Sequence, residues 1–393
     1  MSYNNRLKKN VDKKAIAAVV AILSLVGVIL SVIIVIPSIN TNPASITINA
    51  DGNTNSAAAA AAAIAEQEKS IVPLDQIVSG GPPPDGIPSI DNPKFISVQE
   101  ASKFLEDSEL VLGLNINGDI RAYPLQILVW HEIVNDKVGG VSVAVTYCPL
   151  CFTNQVFNRT IGDGQEVVEF GTSGKLYNSN LVMYDRTSQS LWSQALAEGI
   201  VGKYAGTKLE RIPFDIAYWK EWKQLYPDSK VLSRDTGSNR PYGADPYGDY
   251  YTNSDVLFPV SNSDDRLGLK EIVVGFENKG QYKAYKLQEI ENKKVINDQV
   301  NGKPVSLFSL YPFMVRTYDP VIEDGEKKTV LLQFDYDTKN NYFIDKQTGS
   351  LWNFEGKAIS GQMKGKQLTH LPFDEGFWFE WVAFHPSTAL YPG

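Results

Sequence analysis

The only two cysteines of the chain lie three positions apart, within the stretch Thr146-Tyr147-Cys148-Pro149-Leu150-Cys151. A Cys-x-x-Cys turn allows two thiolates to converge on one metal ion, or two thiols to close as a disulfide. Any thiol chemistry of this protein must therefore use Cys148 and Cys151.

Two further side chains could complete a metal site with the cysteines. If the segments before and after the Gly139-Gly140 turn pair symmetrically, His131 lies opposite Val145, close to Cys148. Met183 offers a thioether as a weak axial ligand. Such a soft set favours copper over calcium or magnesium, while zinc would accept the two cysteines and His131. The predicted ligands are Cys148, Cys151, His131 and Met183, and copper is the favoured metal.

Two other functions use the same cysteines without a metal. In a thiol–disulfide oxidoreductase, one cysteine attacks a partner disulfide and the other resolves the mixed disulfide. In a surface binding or structural module, the pair only staples its own turn. Exposed aromatic residues would then contact a protein or glycan partner, and the candidates are Tyr242, Tyr247, Tyr250 and Tyr251. These alternatives stay open at the level of sequence.

The elements around the cysteines are mainly strands. Leu110 to Ile116 precedes an Asn117-Gly118 turn and predicts one hairpin. Trp130 to Val134 and Val141 to Cys148, closed around the turn Asp136 to Gly140, predict a second. A short helix with a capping box is predicted to follow Ser97, and an aromatic helix is predicted over Pro213 to Tyr226. The predicted fold class is α+β and rich in β-structure.

Several motifs recur about 160 residues later in the chain. Ala122-Tyr123-x-Leu125-Gln126 returns as Ala284-Tyr285-x-Leu287-Gln288, and Ser190-Leu191-Trp192 returns as Ser350-Leu351-Trp352. Because the matches keep their order and spacing, the sequence predicts two homologous repeat units. The predicted boundaries are 88–232 for unit one, 233–270 for a connector and 271–393 for unit two.

A comparison of the two predicted units assigns the chemistry to unit one. At a constant offset of 162, Cys148 falls on Leu310, Cys151 on Phe313 and His131 on Lys293, and at a slightly smaller offset Met183 falls on Phe343. Unit two therefore keeps the tryptophans and turn residues but has lost every soft or imidazole ligand. We expect it to be scaffold.

The N-terminus has the pattern of a membrane anchor. Residues 1–14 carry five basic residues against one acidic residue, and the uncharged run that follows is long enough to span a bilayer as residues 15–37. The basic residues predict a cytoplasmic tail and an extracytoplasmic body, joined by a linker over 38–87. A cleaved signal peptide is the alternative, but its apolar region would be only about 7–15 residues long.

The net charge of the chain is −8 in spite of its basic tail, so the predicted body is acidic. An acidic body argues against a nucleic-acid partner. The lipid bilayer, contacted through residues 15–37, is the partner that the sequence predicts most directly.

The combined motifs resemble the domain-of-unknown-function family 3179 over roughly residues 85–390. The resemblance rests on the cysteine stretch together with the segments 130–136, 170–179, 183–186, 191–194 and 245–250. It implies an exported or membrane-anchored protein and carries no established activity. A glycine often follows the second cysteine in the family, whereas Phe152 stands there in this chain and is expected to restrict access to the thiols.

Overall fold

The computed structural model describes residues 69–162, 166–323 and 328–392. These residues are rich in β-structure, with 29 strands and five short α-helices. Within them, no helix has the length and apolar character needed to cross a membrane. The predicted cytoplasmic tail, the anchor at 15–37 and most of the predicted linker lie outside the described residues.

The described residues up to 232 contain fifteen strands and three α-helices. The strands are β1 (Ile77–Ser79), β2 (Phe95–Ile96), β3 (Leu110–Ile116), β4 (Asp119–Pro124), β5 (Ile133–Val138), β6 (Val141–Cys148), β7 (Thr153–Asn158), β8 (Thr160–Ile161), β9 (Glu166–Val167), β10 (Phe170–Tyr177), β11 (Asn180–Asp185), β12 (Leu191–Ser193), β13 (Glu198–Val201), β14 (Asp215–Tyr218) and β15 (Lys230–Leu232). The helices are α1 (Val98–Ala101), α2 (Leu125–Leu128) and α3 (Trp219–Leu225).

The remaining part contains fourteen strands and two α-helices. The strands are β16 (Ile272–Asn278), β17 (Gln281–Lys286), β18 (Val295–Val300), β19 (Lys303–Ser309), β20 (Val315–Asp319), β21 (Val321–Glu323), β22 (Thr329–Leu331), β23 (Phe334–Asp337), β24 (Tyr342–Asp345), β25 (Leu351–Trp352), β26 (Ala358–Ser360), β27 (Thr369–Leu371), β28 (Asp374–Phe377) and β29 (Ala389–Tyr391). The helices are α4 (Leu287–Lys293) and α5 (Trp378–Phe384), and two 3₁₀ turns lie at Leu74–Gln76 and Tyr250–Thr252.

The largest sheet takes strands from both parts of the chain. Its order is β29-β17-β16-β28-β7-β6-β5, and β28 meets β7 through the antiparallel pair Glu375 and Asn154. A five-stranded sheet (β14-β3-β4-β15-β2) and a four-stranded sheet (β18-β19-β20-β27) are linked by a buried ion pair, in which Arg316 holds both carboxylate oxygens of Asp215 at 2.6–2.7 Å. The other sheets are β1-β10-β11-β12-β13, β23-β24-β25-β26, β21-β22 and β8-β9.

Both predicted hairpins form, and their turns have the expected chemistry. The β3–β4 turn places Asn117 and Gly118 at φ of 52° and 80°, and the β5–β6 turn places Gly139 and Gly140 at 54° and 90°. Asparagine and glycine tolerate these left-handed values, which match the twist of the flanking strands. The capping box predicted at the start of α1 is also present, between Ser97 and Glu100.

The helix predicted over Pro213 to Tyr226 is shorter than expected. Residues Asp215–Tyr218 instead form β14, which pairs with β3, and only Trp219–Leu225 is helical. The backbone hydrogen bonds available at the edge of β3 explain the difference, since strand pairing in the folded protein overrides local periodicity.

The folded body begins earlier than predicted. Part of the linker expected at 38–87 belongs to it, because β1 pairs with β10, Ser70 bridges Val201, and Asp85 forms an ion pair with Arg186. The described residues 69–87 are therefore hydrogen-bonded to the sheet rather than forming a tether.

The connector predicted over 233–270 is also not one unit. Residues 233–245 and 254–270 belong to the main compact body, whereas residues 246–253 fall in a separate compact unit. In this short segment the rings of Tyr247, Tyr250 and Tyr251 lie 6.1–6.3 Å apart, and Tyr250 is buried rather than exposed.

Two glycines are required where a tryptophan crosses a strand. A Cβ atom on Gly113 of β3 would lie 1.9 Å from the ring of Trp222, and one on Gly275 of β16 would lie 2.2 Å from the ring of Trp381. Both tryptophans are buried, so neither ring has free space into which it can move.

We predict that Gly113→Ala and Gly275→Ala each lower the free energy of unfolding by about 3 kcal/mol, because the methyl group overlaps a fixed ring. Urea unfolding of the full-length protein measures the effect. The control is Gly268→Ala, since a Cβ at Gly268 meets no atom within 4 Å, and it should change stability by less than about 0.5 kcal/mol. Equal effects of all three substitutions would contradict the prediction.

Candidate functional site: a buried dithiol

The loop between β6 and β7 brings the two cysteines together. Cys148 ends β6 and is paired across the hairpin with Thr153, so the loop contains only residues 149–152. The amide of Cys151 donates to the carbonyl of Cys148 at 3.4 Å, which closes a turn with Pro149 in its second position. Proline favours this position because its φ is already fixed. The two cysteines therefore occupy the first and last positions of one tight turn.

Both sulfurs are free thiols and both are buried. Cys148 is 2% exposed and Cys151 is 0% exposed. The Cys148 side chain is close enough to hydrogen-bond the Cys151 thiol, and its sulfur lies 4.0 Å from the carbonyl oxygen of Ser179. The site therefore holds two neighbouring thiols that are shielded from water.

Polar side chains surround the sulfur of Cys151. The hydroxyl of Thr153 lies 3.0 Å from Cys151 Sγ, and Nδ2 of Asn180 lies 3.1 Å from it. Burial raises the pKa of the Cys151 thiol well above its usual value, and the neighbouring Cys148 adds to the rise, while the Thr153 and Asn180 hydrogen bonds oppose it. The two donors thus stabilise a thiolate in a site that otherwise disfavours one.

Backbone groups fix the orientation of the amides. Gln194 Nε2 donates to the carbonyl of Thr153 at 3.1 Å, so Gln194 Oε1 is the atom that accepts from Asn180 Nδ2 at 3.0 Å. Asn180 Oδ1 accepts from the amide of Ala195 at 3.2 Å. Since these backbone partners can act in only one sense, the second hydrogen of Asn180 Nδ2 points towards Cys151.

A carboxyl group from the other end of the chain completes the site. Glu380 lies on α5, is 4% exposed, and its Oε1 is 3.4 Å from Asn180 Nδ2. Burial, followed by the charge of Cys151, raises the pKa of Glu380 well above its usual value. Burial therefore favours the protonated form of the carboxyl, and in that form it can act as a proton donor.

Gly376 allows this carboxyl to approach the cysteine loop. A Cβ atom at this position would lie 3.0 Å from Thr153 Oγ1 and 3.4 Å from Glu380 Oε2. The absence of a side chain thus leaves room for the hydroxyl and the carboxyl on the same side of β28.

His131 is not brought to the cysteines. Val145 pairs with Val134 rather than with His131, and Glu132 takes a left-handed φ of 58° that turns the chain just before β5. The imidazole instead lies 2.6 Å from the carbonyl oxygen of Pro88 and 2.6 Å from the hydroxyl of Tyr242. With both ring nitrogens engaged, His131 holds the segments around Pro88 and Tyr242 in place.

Met183 is fully buried but belongs to the opposite face of its strand. Side chains alternate along β11, so Met183 faces away from Asn180, and it pairs in register with Trp192. Among the described residues, no group of three or more histidine, cysteine, aspartate or glutamate side chains could hold a metal ion. The structure thus unites Cys148 and Cys151 but not the four predicted ligands.

Comparison with known proteins supports the resemblance seen in the motifs. A family model described as "Protein of unknown function (DUF3179)" matches residues 84–388, which is most of the chain. The chain belongs to the DUF3179 family. No curated protein and no solved structure matches it. Because the family description names no activity, the function must be argued from the site.

The residue at the position of the family's frequent glycine packs its ring against the face of the sheet opposite Cys148. Phe152 has a left-handed φ of 56°, which is the conformation that glycine adopts most easily. Its ring packs against Tyr147 and Phe377, which point to the face of the sheet opposite Cys148. The turn and these aromatic contacts explain the position of Phe152, and restricted access to the sulfurs stays a prediction.

Sequence reasoning missed the polar partners of the cysteines: Thr153, Asn180, Gln194 and Glu380. A signal for Glu380 was present, because it is the only charged residue in the otherwise apolar helix Trp378–Phe384. A lone carboxyl on an apolar helix must be buried or paired. Its partner loop lies more than 200 residues away, and local pattern gives no indication of that contact.

A second buried carboxyl lies next to the site, on the other face of the sheet. Glu375 is 1% exposed, and neither of its oxygens, nor Oδ1 of the neighbouring Asn154, has a hydrogen-bond partner among the described residues. Burial, with smaller effects of Glu291 and Asp215, raises the pKa of Glu375 to about 8. The folded protein therefore keeps this acid neutral at pH 7.

We predict that Glu375→Gln stabilises the protein in a pH-dependent manner. The unfolded chain loses the Glu375 proton near pH 4.5 and the folded chain only near pH 8, so wild-type stability falls as pH rises through this window. The variant avoids this loss and should be more stable by roughly 4 kcal/mol at pH 8 but nearly equal to wild type at pH 4.5.

Urea unfolding of the full-length protein between pH 4.5 and 8 measures this difference. The control is Glu323→Gln, whose side chain is exposed. A difference between Glu375→Gln and wild type that does not vary with pH would contradict the assigned protonation.

Proposed function

We propose that this protein is a dithiol–disulfide redox protein in which Cys148 and Cys151 are the reactive pair. The observation that carries the proposal is the chemistry of the buried pocket around the pair. Thr153, Asn180 and Gln194 line it with hydrogen-bonding groups, and the positions that match Thr153 and Gln194 elsewhere in the chain are apolar.

We infer the matching positions from a twofold repeat within the body, of which units 88–232 and 271–393 are the copies. Two sets of contacts support the repeat. Tyr123 and Tyr285 each hydrogen-bond an aspartate thirteen residues later. Three tryptophan contacts also recur. Trp192 bonds Asp185 as Trp352 bonds Asp345, and Trp222 bonds Ser229 as Trp381 bonds Thr388. The ring of Trp222 lies over Gly113 as the ring of Trp381 lies over Gly275.

Strand register gives the residue-by-residue correspondence. Val145 pairs with Val134 as Leu307 pairs with Ile296, so Thr146 corresponds to Phe308 and Cys148 to Leu310. The second loop is one residue shorter, because Tyr147 pairs with Asn154 whereas Ser309 pairs with Val315.

The left-handed residues of the two loops, Phe152 and Phe313, then align. Cys151 consequently corresponds to Pro312, and not to Phe313 as a constant offset gave. Thr153 corresponds to Met314.

The polar pocket is thus a feature of one copy. Phe308, Met314 and Phe354 stand where the first copy has Thr146, Thr153 and Gln194, and all three are buried in one apolar cluster. A fold that accepts apolar residues at these positions does not require polar ones. Local departures from the pattern that stability favours are expected at functional sites.

The proposed reaction is a two-electron exchange. When a disulfide of a partner oxidises the pair, Cys148 and Cys151 lose two electrons and two protons and form an S–S bond, while the partner disulfide becomes two thiols. The turn supports this reaction because it already holds the two side chains within hydrogen-bonding reach. The Asn180 amide and the Thr153 hydroxyl also support the reaction, because their hydrogen bonds to Cys151 Sγ stabilise the thiolate that thiol–disulfide exchange forms.

We predict that the reduced full-length protein forms an intramolecular disulfide in excess oxidised glutathione. After denaturation and alkylation, mass spectrometry should count two modified cysteines before oxidation and none afterwards, because the chain has only two. Dithiothreitol should restore both thiols.

Single substitutions provide the controls. Cys148→Ser and Cys151→Ser should each form only a mixed disulfide with glutathione, visible as added mass. Two thiols that stay free in the wild-type protein under oxidation would overturn the redox proposal.

A copper(I) carrier is the second candidate, because soft thiolates select Cu(I) and the pair could bind it without His131 or Met183. Titration of the reduced protein against a Cu(I) chelator tests it, and one equivalent that is lost in Cys148→Ser would support it. Failure of both copper binding and thiol exchange would leave a surface binding module.

We also propose that residues 15–37 anchor the protein in the cell membrane and hold the body outside the cytoplasm. The uncharged run and the basic residues before it support this orientation. A protease added to intact cells should digest a C-terminal epitope tag on the protein. Protection of the tag until the cells are lysed would contradict the orientation.

A further inference from the structure

The hydroxyl of Thr153 lies between a thiol and a carboxyl. It is 3.0 Å from Cys151 Sγ, and Gly376 leaves open the space between it and the carboxyl, since a Cβ there would lie 3.0 Å from Thr153 Oγ1 and 3.4 Å from Glu380 Oε2. All three side chains are buried, with exposures of 2%, 0% and 4% for Thr153, Cys151 and Glu380. The thiol, the hydroxyl and the carboxyl therefore share one buried pocket, in which Asn180 Nδ2 also lies 3.1 Å from Cys151 Sγ and 3.4 Å from Glu380 Oε1.

The remaining groups around Cys151 cannot supply a proton. Asn180 is oriented by Ala195 and Gln194 and offers only an amide hydrogen. The charged groups that act on Glu380 besides Cys151 are Asp374 of β28 and Arg211 of the segment before β14, and these two form an ion pair with each other at 3.3 Å. Glu380 is thus the acid that the described residues place in the pocket beside Asn180 and the Thr153 hydroxyl.

We propose that Glu380 donates the proton to Cys151 Sγ when the Cys148–Cys151 disulfide is opened, with the Thr153 hydroxyl as the bridge. The inference rests on the proposed redox function and adds the source of the proton and the order of the two cysteines. Cys148 is the sulfur attacked and Cys151 the sulfur released, because only Cys151 has donors that stabilise a leaving thiolate.

The step balances without an additional reagent. The thiolate of an incoming thiol attacks Cys148 Sγ, the S–S bond breaks, and its electron pair goes to Cys151 Sγ. The Thr153 hydroxyl proton moves to this sulfur and the Glu380 proton moves to the Thr153 oxygen. The products are a mixed disulfide on Cys148, a neutral Cys151 thiol and a Glu380 carboxylate, and a second thiol then reduces the mixed disulfide.

The rate of disulfide reduction as a function of pH tests the proposal. The oxidised full-length protein is mixed with dithiothreitol between pH 6 and 10, and each rate constant is divided by the thiolate fraction of the reagent. For wild type, this corrected rate should fall as Glu380 loses its proton with rising pH. Glu380→Gln should lower the corrected rate at pH 7 by about 10²-fold and make it independent of pH.

The chain provides a closely matched control. Glu221 has the same position in the helix Trp219–Leu225 as Glu380 has in Trp378–Phe384, two residues after the first tryptophan. Glu221→Gln should keep the wild-type rate and pH profile. Thr153→Val should behave like Glu380→Gln, whereas Thr153→Ser retains the hydroxyl and should restore at least a tenth of the wild-type rate.

The possible outcomes separate the two proposals. If the wild-type protein forms no disulfide at all, the redox function is wrong. If the wild-type disulfide forms and is reduced normally, and Glu380→Gln has the same pH profile of the reduction rate as wild type, only the role of Glu380 is overturned. A loss of rate in Glu380→Gln without a change in the shape of the profile would indicate a structural effect and would also overturn the role.

Discussion

The pairing of β28 with β7 is the constraint on which the candidate site depends. This contact inserts a strand from the end of the chain next to the strand that follows the cysteine loop, through Glu375 and Asn154. The helix after β28 then carries Glu380 to the cysteine pocket, where it meets Asn180. Without this pairing the thiols would have no acid beside them, so the chemistry of one half requires the other half to be folded.

The second contact between the halves is of a different kind. Arg316 of β20 reaches across to Asp215 of β14 in a buried, doubly hydrogen-bonded ion pair. A buried ion pair contributes little net stability, but its geometry tolerates few alternatives. Asp374, which matches Asp215 in the proposed repeat, accepts a hydrogen bond from Gln155 and forms an ion pair with Arg211 at 3.3 Å. Each of the two aspartates therefore has an arginine partner in the other half, and Asp374 also contacts the strand after the cysteines.

In the proposed twofold repeat, the polar pocket has an energetic cost that the second copy avoids. Burying amides and hydroxyls is unfavourable unless each is hydrogen-bonded, and an apolar side chain in the same volume contributes its own burial energy. In the first repeat, backbone groups of Thr153 and Ala195 satisfy Gln194 and Asn180. Such a network is stable only when it is complete. Because this network is complete, the fold can keep Gln194 at a position whose counterpart in the proposed repeat is the buried, apolar Phe354.

The sequence predicted the local features of this fold better than its contacts. Turn chemistry placed both hairpins, and the cysteine spacing predicted the thiol pair, because each depends on residues within one turn of the chain. The position of His131 could not be predicted in the same way, since one left-handed residue, Glu132, rotates it away from the strand. Glu380 lies beside the cysteines only through strand pairing between distant segments, and no local pattern encodes that pairing.

In the proposed reaction, burial couples proton transfer to electron transfer at this pair. With water excluded, an unpaired thiolate on Cys151 is disfavoured, and burial also favours the neutral form of Glu380. Opening a disulfide in such a pocket leaves a negative charge on sulfur unless a proton arrives with the electrons. Moving the Glu380 proton transfers that charge to a carboxylate, which nearby Asp374 disfavours and Arg211, to a smaller extent, favours. In the proposed step the charge therefore forms on an oxygen beside the Arg211–Asp374 ion pair rather than on the buried sulfur.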